Sequence, residues 1–449
     1  MPAASSSATA TRRIHALPVR LFTTGSSAAP ALAALSQQRQ LHHHIALAGT
    51  RREPSERTDG SRLGFSRRIA SSGARAAGGG TRAVAKVVSA SVRALCTASA
   101  PREQQQQQQQ QGQPSGRTYE QALSNPPAPP TGKTVTLKWE RHEPRSSDKA
   151  GGTSEIVDNT GAIVVAHGLF GSKQNWRTLA KSMAARTGLP VYAVDLRNHG
   201  ESPHVDSLHY ADMAEDVITF LRDSVRKEIG EKGIVLIGHS MGGKAAQAAA
   251  LSPNLPTDLL TGLISVDMSP KRGALSKEFA GYVDGMQEIE RAGCASRKEA
   301  DEILQRWEQV QYLNLMAELA SPNIDHRGLL TLQDVGVRQF LLTNLTKDPP
   351  SQEFWTFRIP LDIIQRHISQ LGDFPYSDGE RTWDGRSLFV KGSKSAYINH
   401  KNIPLAAKFF PQMRLATLEA GHWVQAEKPK EFVDLVERFV KGEDVGERP

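Results

Sequence analysis

Cysteine is almost missing from this chain: its 449 residues hold two, Cys96 and Cys294. A framework of several disulfides is thereby excluded; with Cys96 in the expected leader, the rest of the chain keeps one thiol, which suits a compartment that does not rely on disulfides. Acidic residues are absent from the first 52 positions, where Arg12, Arg13, Arg20, Arg39, Arg51 and Arg52 stand among many Ser, Ala and Thr. Without a long apolar h-region, that balance fits an organellar import segment better than a secretory signal. A run of about 18 apolar residues is also lacking, so no transmembrane helix is expected.

What is present divides sharply by charge. Fifteen arginines and one lysine against four acids give residues 1–117 a net charge of +12; the whole chain is +8, so residues 118–449 carry −4. The basic character belongs to the leader and is no sign of nucleic-acid binding by the rest. The glutamine run 104–111 and the following Gly-Gln-Pro-Ser-Gly have the composition of a disordered linker. His42, His43 and His44 read as solvated leader residues rather than metal ligands. The expected organisation is a transit peptide and linker over 1–117 and one α/β domain over 118–449.

Within 118–449, Val135, Leu137 and Trp139 alternate with polar residues as an edge strand would. Residues 143–158 read as loop. Continuous apolar runs at 163–166, 191–194, 234–237, 263–266, 388–390 and 415–418 fit strands buried on both faces. Helical patterns at 176–185, 211–225, 244–251 and 429–441 separate most of them. Alternating strand and helix implies right-handed crossovers and a mainly parallel sheet with helices on both faces. Between about 271 and 386 this rhythm stops. Helices are expected at 279–289, 297–310 and 329–345, without buried strands, as a helical lid inserted before the last two strands.

The chemistry is carried by Gly238-His239-Ser240-Met241-Gly242, which reads as a nucleophile elbow between an apolar strand and a small-residue helix start. Serine is a weak nucleophile and needs a base held by a carboxylate. His422, in a loop before the terminal helix, is the candidate base. An oxyanion hole needs two backbone N–H groups; Met241 supplies one, and the loop His167–Gly171 the other, through Leu169 or its neighbour Phe170. The loop after the penultimate strand, 392–397, has no acid. Asp267, at the end of the 263–266 strand, is the favoured triad acid, and Asp362 its rival. Asp195 and His199 read as a loop that shapes the pocket wall, and His167 as a loop-fixing hydrogen bonder. No metal or other cofactor is expected, because neither HExxH nor CxxC spacing occurs.

These motifs, with Asp195–Ser202, Val266–Pro270, Arg338–Leu345 and Ala420–Val424 in that order, resemble the alpha/beta-hydrolase domain-containing protein 11 group. That group spans mitochondrial hydrolases, fungal ethanol acetyltransferase-like proteins and small bacterial esterases. The resemblance covers roughly residues 155–441. It implies an alpha/beta-hydrolase fold, mitochondrial residence (matrix or peripheral to the inner membrane), and a small acyl ester or thioester as substrate. It also agrees with an acid at Asp267. Three functions follow as expectations. The first is a serine hydrolase working through an acyl-serine; the second is an alcohol acyltransferase using acetyl-CoA and an alcohol; the third is a non-catalytic mitochondrial partner protein.

Overall fold

The computed structural model describes residues 131–144, 159–273, 275, 277–319 and 335–449. The expected leader lies outside them. The six apolar runs become neighbouring strands of one sheet: β2 (Thr160–Ala166), β3 (Val191–Asp195), β4 (Gly233–His239), β5 (Leu260–Val266), β8 (Ser387–Gly392) and β9 (Met413–Leu418). All six run parallel. β1 (Lys138–His142) adds an antiparallel edge beside β3. It begins three residues later than the alternation at Val135 suggests. The N–H groups of Val135 and Lys138 are taken by Asp216 Oδ1 and Ser202 Oγ, at 2.7 and 2.8 Å.

The sheet order is β1-β3-β2-β4-β5-β8-β9. The chain leaves β2 for β3 on one side and then crosses to β4 on the other. The crevice beyond the carboxyl ends of β2 and β4 is therefore the topological switch point, where ligands bind in open α/β sheets. Helices α1 (Lys173–Thr187) and α3 (Met241–Leu251) pack on the sheet, and α2 (Tyr210–Phe220) packs against α3. Two separate apolar clusters result, with Val164 and Leu236 in one and the alternate residues Val165 and Ile237 in the other. That division is what a sheet covered on both faces requires.

The segment between β5 and β8 holds α4 (Lys277–Ala292), α5 (Arg297–Leu319) and α6 (Val335–Leu341). Three expectations need correction here. The helix expected to end at Val310 continues to Leu319, as a sequence without glycine or proline before Pro322 permits. The helix expected over 329–345 gives way at Leu342 to a 3-10 turn, Leu342–Asn344, and then to β6 (Leu345–Thr346); residues 329–334 lie outside the described residues. β6 pairs antiparallel with β7 (Thr356–Phe357), so the insertion does contain a small strand pair. Its returning end is tied to the sheet domain. Tyr210 Oη–H donates to Leu371 O at 3.0 Å, and the buried Lys244 Nζ donates to Gly372 O and Asp373 O at 3.1 and 2.9 Å. Burial pushes that lysine down to about 7.

Candidate active site

Strand register brings the site loops together. Ala166 faces Gly238 across β2 and β4, His239 faces Val266 across β4 and β5, and Val266 faces Val390 across β5 and β8. The loops that follow these strands therefore share one end of the sheet. Ser240 sits where β4 turns into α3, at φ 53° and ψ −117°, a region that costs a non-glycine residue free energy. The flanking glycines allow this turn. A Cβ at Gly238 would stand 2.1 Å from Gly242 O, and one at Gly242 would stand 2.5 Å from His167 O. Ser240 consequently lies at the amino end of α3, where the helix dipole and unpaired N–H groups favour negative charge.

His422 reaches this serine from the loop after β9. Its Nε2 is 2.9 Å from Ser240 Oγ, and its Nδ1 is 2.8 Å from Asp267 Oδ2. With the proton on Nδ1 donated to the carboxylate, Nε2 is left as an acceptor for the serine hydroxyl. Asp267 is fully buried at φ 47°, directly after β5. Gly392 N–H donates to its Oδ1 at 3.0 Å, and the Ser395 hydroxyl donates to its Oδ2. Such donors satisfy both oxygens of a buried carboxylate and fix its position. The rival, Asp362, is in the first turn of a separate helix, Leu361–His367, exposed and paired with Arg366 at 3.0 Å. Its partner is thus Arg366, while His422 Nδ1 bonds Asp267.

Three further histidines surround the pair. His239 Nε2–H donates to the His422 carbonyl at 2.9 Å. Burial, and next the neighbouring His422 ring, push His239 down to about 3. His167 Nδ1–H donates to Gly168 O at 2.8 Å, and its Nε2 accepts Leu196 N–H at 3.0 Å. His199 Nδ1–H donates to Arg197 O at 2.9 Å while its Nε2 accepts Phe170 N–H at 3.2 Å. Burial lowers both, His199 to about 3. His167 and His199 are therefore neutral rings that lace the loop after β2 to the loop after β3. Asp195 fixes that second loop to α1 by accepting Lys173 N–H and Nζ–H at 2.7 and 2.5 Å.

The expected oxyanion loop lies beside Ser240, with Gly168 packed against the serine Cβ. Phe170 N–H is already committed to His199, which leaves Leu169 as the available donor of the two residues considered. Among the described residues, neither Leu169 N–H nor Met241 N–H has a protein acceptor. Missed by the sequence reading were Ser395, which bonds the acid, and Tyr397, whose ring stacks on His422 at 4.1 Å and 26°. Both come from the acid-free loop after β8, and the missing acid there was the one available signal.

A cavity of about 340 Å³ opens in front of Ser240 and His422. Leu169, Phe170 and Trp176 from the sheet domain and Phe279, Val337 and Phe340 from the insertion are among its walls. None of the described residues lining it is Lys, Arg, Asp or Glu. Such a space accepts an uncharged apolar group and gives no partner to a buried charge.

Comparison with known proteins agrees with this arrangement. Residues 161–429 match the family described as alpha/beta hydrolase fold. The chain is 35% identical to the sn-1-specific diacylglycerol lipase ABHD11 of Xenopus laevis, covering 62% of this chain and 79% of that one. It is 32% identical to a probable alcohol acetyltransferase of Saccharomyces cerevisiae, over 62% of this chain and 77% of the relative. A solved marine microorganism esterase is similar at 27% identity and a TM-score of 0.53, covering 68% of this chain and all of that one. The chain belongs to the alpha/beta hydrolase fold family and, within it, to the ABHD11 group of serine ester hydrolases and acyltransferases.

Proposed function

We propose that this chain hydrolyses esters of apolar acyl groups with Ser240 as nucleophile, His422 as general base and acid, and Asp267 as the carboxylate that orients His422. The observation that carries the reading is His422, within hydrogen-bond distance of Ser240 Oγ on one nitrogen and of Asp267 on the other. Ser240 Oγ attacks the ester carbonyl as His422 Nε2 takes its proton. The tetrahedral oxyanion lies between the N–H groups of Met241 and Leu169. The same proton passes to the departing alkoxide, and the acyl group stays on Ser240. Water, deprotonated by His422, then releases the acid and frees the serine. The apolar cavity supports an uncharged acyl chain, and the name of the lipase relative supports a glyceride-type ester.

The same acyl-enzyme can be resolved by an alcohol, and the acetyltransferase relative supports that second reading. The two differ in whether water or alcohol reaches the acyl carbonyl. Product partition separates them: the purified chain is given an aryl acetate or acetyl-CoA, with and without ethanol. Free acetate in both conditions is the expected outcome, whereas ethyl acetate in preference to acetate would transfer the chain to the acyltransferases. A mitochondrial location is proposed from the arginine-rich, acid-free leader, and import of the full chain into isolated mitochondria tests it.

A further inference from the structure

Phe170 stands in the left-handed region, at φ 61°, where a non-glycine residue persists only if its surroundings hold it. Its N–H is held by His199. Its carbonyl accepts a hydrogen bond from Asn344 Nδ2 at 2.8 Å, a buried contact across 174 positions of sequence. Asn344 belongs to the insertion, in the 3-10 turn after α6, and its amide also donates to Leu341 O at 3.3 Å.

The consequence appears when the bonds are followed through the peptide planes. The peptide joining Phe170 to Gly171 has its carbonyl on Asn344, and its N–H donates to Gly168 O at 2.9 Å. That acceptor is the carbonyl of the peptide joining Gly168 to Leu169, and it also takes His167 Nδ1–H at 2.8 Å. The N–H of this second peptide is the Leu169 N–H. In a planar trans peptide the N–H points opposite the carbonyl, so holding Gly168 O aims Leu169 N–H.

We propose that Asn344 is a positioning residue for the oxyanion hole, heading a hydrogen-bonded chain of two peptide groups that ends at Leu169 N–H. The proposal rests on the reading of Leu169 as an oxyanion donor. Chains of this kind polarise each successive donor as well as fixing its direction. The insertion thereby does more than wall the cavity, because a polar group on it sets the geometry in which negative charge develops. Asn344 itself touches no substrate.

The test uses the full chain, an aryl acetate, and a trifluoromethyl ketone whose adduct with the serine carries an oxyanion. Asn344→Leu and Asn344→Asp both remove the donor at similar size, and Thr343→Ala, the exposed neighbour, is the control. Turnover is expressed per Ser240 titrated to completion with an organophosphonate, so unfolded molecules do not count. Both Asn344 variants are expected to lose kcat on the order of tenfold, less than the 10²–10³-fold cost of deleting an oxyanion donor outright. KM should stay within about threefold, and ketone affinity should fall by the same factor as kcat/KM. Thr343→Ala should match the parent chain. An unchanged kcat, or a loss of kcat with ketone affinity intact, overturns the proposal. Ser240→Ala distinguishes the two levels. If it is inactive while Asn344→Leu behaves as the parent chain, only the positioning role fails; if it turns over normally, the hydrolase reading fails and the positioning role with it.

Discussion

The loops after β5 and β8 leave neighbouring strands, joined by the bond from Asp267 N–H to Val390 O at 2.8 Å, yet they bring different chemistry to His422. The β5 loop brings a carboxylate, Asp267. The β8 loop, with no acid of its own, brings the Ser395 hydroxyl to that carboxylate and the Tyr397 ring to the imidazole. On the proposed mechanism, the work of an orienting acid is divided between adjacent strand ends. One supplies the charge; the other constrains where the charge and the imidazole sit.

Substitutions in the two loops, measured as kcat/KM on an aryl ester, can break or sharpen this division. Asp267→Asn is expected to cost roughly 10⁴-fold, the scale seen when a triad acid becomes an amide. A loss under tenfold would move the orienting role elsewhere. Ser395→Ala removes a hydrogen bond to a charged group and should cost about tenfold; an effect as large as that of Asp267→Asn would mean the hydroxyl is no mere support. Tyr397→Leu should cost roughly threefold, on the scale of one aromatic contact, with Tyr397→Phe restoring the parent rate. Equal losses in both variants would assign the effect to the phenol and not to the stacked ring. Asp362→Asn, in the insertion, should change the rate by no more than about twofold, as befits an exposed ion pair. A drop approaching that of Asp267→Asn would return the triad acid to the insertion.

The sheet was legible because buried parallel strands are written as short continuous apolar runs, and each such run, from Ile163 to Leu418, found its strand. The positions of Ser240, His422 and Asp267, whose catalytic roles are proposed, were legible because they follow strand ends: an elbow after β4, a histidine after β9, a carboxylate after β5. The insertion was less so. Its helices are positioned by contacts made far along the chain, and the turn at Leu342–Asn344 interrupts a pattern that reads as continuous helix. That turn presents Asn344 to Phe170, a pairing with no local trace. Ser395 is likewise one serine in a polar loop until the fold sets it against Asp267.

The most direct measurement is to react the chain with a short aryl ester, quench in acid, and locate the acyl group by peptide mass, with Ser240→Ala beside it. An acyl group on the peptide carrying Ser240, together with a loss of turnover of about 10⁶-fold in the variant, is the expected result. An acyl group on another residue, or undiminished turnover by Ser240→Ala, would contradict the assignment of Ser240 as the nucleophile.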